Sequence, residues 1–336
     1  MNEAQSNGPH VHIASGVVRP TGNTLTKLRF DDQAIVVTGA GRGIGRSHAL
    51  LLAARGARVV VADHGGNIDG SGSSRSPADD VVREIIDAGG HAVACHASVA
   101  DERGANEIVT TALDAFRRVD AVVNNAGIHD PGLFEDLSVD QFRTMLEVHY
   151  FGTLFVTRAA WRHFVAAGYG RVVNTVSEAM FGGIPELSSY GAAKGAVFGL
   201  TRNLATEGLP RGIKVNAIAP RAFTRLSASH SDKVAATMSM TREMMDQVNA
   251  SMPPNLCAPA AAFLAHESCP LNGEVLQIGM GSVARIAVVY SQGLSKPTIT
   301  AEDIAENLEA VMDLRDVGGQ EGTLRRPEIA TSQEVQ

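Results

Sequence analysis

One feature constrains this chain more than any other: from residue 34 to residue 278, short apolar runs alternate with longer helix-forming stretches. The first run, Ile35-Val36-Val37-Thr38, has the unbroken hydrophobicity of a strand buried on both faces, and it ends in glycines. Residues 47–55 read as a helix closed by Gly56, and residues 59–62 as the next strand. Further helices are expected over 78–88, 106–116, 139–167 and 190–207, alternating with strands at 91–95, 121–124, 171–176, 214–218 and 274–278. Alternation of this kind implies right-handed crossovers. The fold class is therefore α/β: a doubly wound, mostly parallel central sheet of about seven strands with helices on both faces.

Composition narrows the partners. A net charge of -7 leaves no basic footprint for nucleic acid, although a local basic pocket for a phosphorylated substrate stays open. With 44% hydrophobic and 19% charged residues the chain can bury a sizeable core, yet no stretch reaches the roughly 18 apolar residues of a membrane span. Cys95, Cys257 and Cys269 are too widely spaced for a metal pair, and their odd number gives no disulfide framework. No metal site is expected, and a reducing compartment is. The polar start lacks the apolar run of a secretion signal, and Ser332-Gln333-Glu334-Val335-Gln336 is not a Ser-Lys-Leu address. A cytoplasmic protein is expected.

Three segments break the beat. Residues 65–76 form a Gly/Ser-rich loop after the second strand. Residues 224–255 carry Met238, Met240, Met244, Met245 and Met252, and residues from about 285 run on past the last strand to a polar tail. The expected organisation is a flexible N-terminal arm over 1–32, a main domain over 33–284 and a C-terminal extension over 285–336.

Thr38-Gly39-Ala40-Gly41-Arg42-Gly43-Ile44-Gly45 lies between the first strand and the first helix. Glycines there let the backbone turn tightly and approach a pyrophosphate, while the helix N-terminus adds N–H groups and partial positive charge. A plain turn uses the same residues, but the strand-turn-helix context favours dinucleotide binding. Asp63 ends the second strand, where a carboxylate accepts bonds from the adenosine ribose and repels a 2′-phosphate. Arg42 is the one group here able to greet such a phosphate; Asp63 opposes it, so NAD is expected over NADP. Asn124-Asn125-Ala126-Gly127 ends the fourth strand, where small residues let a cofactor lie close.

Tyr190 and Lys194 are four apart in a helical stretch and share one face. A free tyrosine with a pKa near ~10 is too weak a base at neutral pH, and a nearby ammonium favours its phenolate. Ser177 ends the preceding strand, where its hydroxyl can bond a substrate oxygen. Singly, these would be an ordinary helix pair and a strand-end cap.

Together with the glycine-rich turn, these residues resemble the classical short-chain dehydrogenase/reductase family over roughly residues 33–282, and the Rossmann-type fold goes with that resemblance. It implies Tyr190 as acid/base, Ser177 as the residue stabilising the reacting oxygen, and Lys194 as holding the nicotinamide ribose and lowering the Tyr190 pKa. It also assigns Gly39, Gly41, Arg42, Gly43, Ile44, Gly45, Asp63, Ser98, Val99, Asn125, Ala126, Gly127, Tyr190 and Lys194 to the cofactor. Pro220, Ala222 and Thr224 match the segment that touches the nicotinamide carboxamide, and residues 224–255 the substrate lid.

The chain departs from the family pattern at three places. His149 stands where an asparagine usually carries a proton relay; it either takes that role through water or simply packs. Ser98-Val99 replaces the common Asp-Val, and Arg221 the glycine usual after Pro220. The stretch 59–66 with its insert, His149, residues 156–161 and His266-Glu267-Ser268-Cys269 resemble one branch, the dehydrogenase part of peroxisomal multifunctional enzyme type 2 and its stand-alone bacterial relatives. That resemblance implies NAD-linked oxidation of (3R)-hydroxyacyl-CoA or a 17β-hydroxysteroid.

Unbranched thioethers repack around varied apolar ligands, so the methionines favour a bulky apolar alcohol or ketone as substrate, although methionine also serves as core filler. The helices carrying Phe151, Phe155 and Trp161, and Tyr190, resemble the family's dimerising pair, which implies a homodimer or homotetramer. Two other readings stay open: an NADPH-dependent ketoreductase of the acyl-carrier-protein type, and a non-catalytic dinucleotide-binding sensor or scaffold on the same fold.

Overall fold

The computed structural model describes residues 27–228, 240–315 and 317–319. Met238, most of the expected N-terminal arm and the polar tail lie outside the described residues. The chain divides into two compact units, one of them Leu28–Ile286.

In that unit an eight-stranded sheet has the order β3-β2-β1-β4-β5-β6-β7-β8. Its strands are β1 Ala34–Thr38, β2 Arg58–Ala62, β3 His91–Cys95, β4 Ala121–Asn124, β5 Gly170–Thr175, β6 Ile213–Arg221, β7 Val275–Gly279 and β8 Ser282–Ile286. The first seven pair in parallel. Side chains alternate across the sheet. Ile35 and Val37 of β1 enter one apolar layer and Val36 the other. Val59 and Val61 on β2, and Ala121 and Val123 on β4, repeat the pattern, with Val60 and Val122 facing the opposite way. Continuous apolar runs are required here because both faces are covered.

The helices of this unit are α1 Gly43–Ala54, α2 Ser76–Asp87, α3 Glu102–Phe116, α4 Val139–Leu146, α5 Gly152–Ala167, α6 Ser188–Gly208, α7 Arg225–Ala228, α8 Arg242–Ala250 and α9 Ala258–Ala265. Leu52 of α1, Ile85 of α2 and Leu264 of α9 fill one layer; Ile108 of α3 and Val156 and Phe164 of α5 fill the other.

Three features differ from the sequence expectation. An eighth strand joins the expected seven: β8 runs antiparallel to β7 through a two-residue turn at Met280 and Gly281, both with positive φ. That geometry matches the twist of a hairpin. It was hidden because the first turn residue is methionine rather than asparagine or glycine. The strand also carries the sheet two residues past 284. Phe30, within the expected arm, is fully buried, and its N–H donates to the Arg55 carbonyl at 2.9 Å. The helical stretch 139–167 contains a π-helical turn, Glu147–Phe151, between α4 and α5. Such turns add a residue to the helix and re-aim side chains, often at functional sites.

The second unit has its own two-stranded antiparallel sheet, β9 Val289–Ser291 with β10 Val317–Gly319. Its helices are α10 Ala301–Glu306, started by a capping box of Thr300 and Asp303, and α11 Leu308–Met312. Among the described residues of the whole chain, no helix is long and apolar enough to cross a membrane.

Candidate active site

The order of the strands reverses between β1 and β4, and open α/β sheets bind ligands at the carboxyl ends of strands at such a point. A cavity of about 570 Å³ opens there. From the turn after β1, Gly39, Arg42, Gly43 and Ile44 line it, and Asp63 lines it from the end of β2. Ser98 and Val99 contribute from beyond β3, and Asn125, Ala126 and Gly127 from beyond β4. Ser177 follows β5; Pro220, Ala222 and Thr224 belong to β6 and the segment after it. His149, Tyr190 and Lys194 complete the wall from the helical side.

Of the residues assigned from sequence to catalysis or to the cofactor, all but Gly41 and Gly45 line this cavity. The task of these two glycines is internal. The Gly41 N–H donates to Asp63 Oδ2 at 2.7 Å, and a Cβ on Gly45 would collide with the Gly39 carbonyl. Asp63 Oδ1 accepts from the Gly65 N–H at 2.7 Å. Each carboxylate oxygen is thus oriented by one backbone donor and keeps a lone pair towards the cavity. Asn125 Nδ2 donates to the carbonyls of Thr38 (3.0 Å) and Gly39 (3.2 Å), and Thr38 Oγ1 accepts from the Asn125 and Ala126 N–H groups. The turns after β1 and β4 are locked together by these bonds. Below them Asn124 Nδ2 donates to Thr157 Oγ1 and Asn174 Oδ1, each at 2.9 Å, forming a buried polar chain that also takes in Thr201.

Tyr190 and Lys194 sit one turn apart on α6, as their spacing requires. Ser177 and Tyr190 both line the cavity, and the Ser177 hydroxyl acts to lower the Tyr190 pKa. Burial pushes the phenol above its ordinary range, and the Ser177 hydroxyl only partly counters this. Lys194 is buried, and its Nζ donates to the Thr175 carbonyl at 2.7 Å. Burial also pulls the Lys194 ammonium down to about 7. Its Nζ is 5.6 Å from the centre of the Tyr190 ring.

His149 sits inside the π-turn and is buried. Its Nε2 lies 2.9 Å from the Ile128 carbonyl and 3.2 Å from the Ile128 N–H, so in either tautomer this nitrogen is spent on that backbone. Nδ1 has no protein partner among the described residues. Burial first, then the Lys194 charge, hold the imidazole well below its ordinary pKa, so it is neutral.

Two groups, His129 and Arg225, escaped the sequence reading, and a third, Arg221, gains a partner. His129 packs edge-on against Tyr190 with centroids 5.5 Å apart; its place directly after the Asn-Asn-Ala-Gly-Ile turn was the available signal. Arg221, noted as a departure, makes a two-pronged pair at 2.8 Å with Glu178, the residue after Ser177. Arg225 enters the cavity wall immediately after Thr224. Of the methionines, Met245 is buried and Met244 exposed.

Comparison with known proteins gives a consistent result. A family described as short chain dehydrogenase matches residues 33–235. A Mycobacterium tuberculosis protein named as a short-chain type dehydrogenase/reductase is 42% identical over 287 residues, covering 84% of this chain and 95% of that protein. Mouse peroxisomal multifunctional enzyme type 2 is 38% identical over 290 residues, covering 85% of this chain but 37% of the mouse protein's length. A solved 7α-hydroxysteroid dehydrogenase, complexed with NADH and 7-oxo glycochenodeoxycholic acid, superposes with a TM-score of 0.64 at 28% identity, over 75% of this chain and 95% of that one.

Proposed function

Because the chain belongs to the short-chain dehydrogenase family, whose members are oxidoreductases acting on CH–OH groups with a nicotinamide dinucleotide, we propose that it interconverts a secondary alcohol and a ketone on a bulky apolar substrate, with NAD. The observation that carries this reading is the convergence of Ser177, Tyr190 and Lys194 on one cavity that also holds the glycine-rich turn and Asp63.

The cavity suits the dinucleotide. Gly43, with φ of +54°, leaves open backbone beside Thr224, and the Asp63 carboxylate has lone pairs to spare for ribose hydroxyls. The Lys194 ammonium spends one donor on Thr175 and has others to give. When bound, the nicotinamide supplies the hydride acceptor or donor. Tyr190 Oη takes the proton from the substrate hydroxyl during oxidation and returns it during reduction. Ser177 Oγ bonds both the Tyr190 phenol and the substrate oxygen, which aligns that oxygen with the base. Burial makes the free phenol a poor proton acceptor, so positive charge in the cavity must favour the phenolate. Lys194 supplies one such charge. His149, being neutral, supplies none; its part is to pack behind Tyr190.

Substrate class rests on two supports. The cavity reaches Ile128, Val148 and Leu187, which give it apolar wall near Tyr190. The named relatives include a hydroxysteroid dehydrogenase and a peroxisomal multifunctional enzyme. A 3-hydroxyacyl-CoA ester or a hydroxysteroid fits this description. The main domain over 33–284 carries the reaction, in a cytoplasmic homodimer or homotetramer that uses the face bearing Phe151, at the end of the π-turn, stacked on Phe155 of α5.

A screen for NAD reduction over hydroxysteroids, 3-hydroxyacyl-CoA esters and simple secondary alcohols tests the reading. Turnover on the bulky apolar alcohols is expected; reduction of NAD by none of them, or by the simple alcohols alone, overturns it. The NADPH alternative is tested on Asp63→Ala, which should weaken NAD about 10-fold, the scale of one lost charge-assisted bond, and narrow its lead over NADP.

A further inference from the structure

Two guanidinium groups converge on one oxygen at the edge of the cavity. Arg225 Nη2 donates to the Gly66 carbonyl at 3.0 Å, and Arg42 Nη1 approaches the same oxygen at 3.4 Å. Arg42 comes from the glycine-rich turn after β1, whereas Arg225 opens α7, far along the chain. Among the described residues neither forms an ion pair with a carboxylate. Asp63 is the nearest acid in the wall, and both of its oxygens are already bonded to backbone N–H groups.

Such an arrangement is costly unless an anion balances it. Like charges repel, and a single carbonyl oxygen does not balance two cations. The guanidinium of Arg225 registers this: burial and then Arg42 lower its pKa, with Asp63 acting in the opposite direction. The positive ground extends further, because Thr224 lies against Gly43 at the start of the twelve-residue helix α1, whose N-terminal N–H groups carry partial positive charge. Two cations facing a single carboxylate, Asp63, in the cavity wall and set beside a helix N-terminus make a site for an anion. Guanidinium groups match phosphate oxygens in geometry as well as in charge.

We propose that Arg225, acting with Arg42, clasps phosphate oxygens of the bound dinucleotide, so that the segment after β6 contributes a phosphate-binding residue. This inference rests on the dinucleotide reading above. The phosphate concerned is either the bridging pyrophosphate or a 2′-phosphate, and the two are separable by ligand. Arg225 is exposed at its outer edge, so Arg225→Gln leaves the core packing intact.

Calorimetric titration of the unaltered chain and of Arg225→Gln with adenosine, ADP-ribose and 2′-phospho-ADP-ribose provides the test, with Arg225→Lys as the conservative variant. Arg225→Gln is expected to weaken ADP-ribose at least 10-fold and leave adenosine unchanged, with part of the loss recovered in Arg225→Lys. A loss confined to the 2′-phosphorylated ligand supports the clasp and assigns it to the 2′-phosphate. Equal affinity of Arg225→Gln and the unaltered protein for both phosphorylated ligands overturns the inference, as does an equal loss on adenosine. If the unaltered protein binds none of the three ligands, the dinucleotide reading itself falls.

Discussion

The imidazole of His149 meets the ring of Tyr190 edge-on, with centroids 5.2 Å apart and planes at 85°. The contact joins the π-turn to α6 and sets one side of the cavity. His149 is held on its other side by Ile128 and lies directly over Gly127, so three elements depend on this one ring. A buried neutral imidazole gives Tyr190 shape and orientation without charge.

The tightness of this packing is testable at Gly127. A Cβ there would lie 2.5 Å from His149 Cε1. Gly127→Ala is expected to cost about 1–3 kcal/mol, the usual penalty for overpacking a core. His149→Ala in the same chain should relieve the clash, making the double variant less destabilised than the sum of the singles. Urea unfolding of the four proteins measures the coupling; strict additivity would contradict the contact.

Tyr190→Phe keeps the ring and its contacts with His149 and His129 but removes the phenol oxygen. Turnover should fall by a factor of about 10²–10⁴, the range of general acid–base catalysis. Dinucleotide affinity should fall far less than turnover, because Lys194 and the glycine-rich turn are untouched and only the Tyr190 hydroxyl is lost. Steady-state rates and a binding titration on the same preparation separate the two effects.

Arg221→Gly removes the pair with Glu178 and restores a glycine after Pro220. Both partners are partly exposed, at 45% and 41%, so the stability cost should stay within about 1 kcal/mol. Glu178 adjoins Ser177, however, and Ser177 Oγ accepts from the Ala179 N–H at 3.2 Å in the same short turn. Loosening that turn is expected to lower kcat several-fold more than it changes the dinucleotide Kd. Comparing kcat with the Kd of the variant decides it.

Acid stability should report on His48. It is fully buried on α1 with neither ring nitrogen bonded among the described residues, and burial holds its pKa at about 3, against 6.5 when exposed. Below pH 6.5 the unfolded chain takes up a proton that the folded chain refuses, so stability falls as pH drops towards 3. The slope is about 1.4 kcal/mol per pH unit for one such group, and His149 adds to it with the same sign. His48→Leu should flatten the decline of the urea midpoint between pH 6 and pH 4. An unchanged slope would mean that His48 titrates normally in the folded protein.

Much of this could be foreseen from residue order, for a physical reason: the informative signals are local. An apolar run followed by glycines and a helix is a strand-turn-helix unit wherever it occurs, and Tyr190 and Lys194 share a face because helix geometry puts residues four apart together. The unbroken apolar run Ile35-Val36-Val37 likewise marks a strand covered on both faces. The eighth strand escaped because its turn uses Met280, a residue that local preference does not mark for positive φ.

What folding alone decided are relationships between distant parts of the chain. The neutrality of His149 comes from burial and from the charge of Lys194, which together outweigh the Ile128 backbone bond that favours the protonated ring; neither residue is a neighbour in sequence. Arg42 and Arg225 are ordinary arginines until the turn after β1 and the segment after β6 bring them to one carbonyl oxygen. Glu178 and Arg221 meet because β5 and β6 lie side by side. Periodicity and spacing are written in residue order, whereas desolvation and charge proximity exist only once the sheet has closed its layers around them.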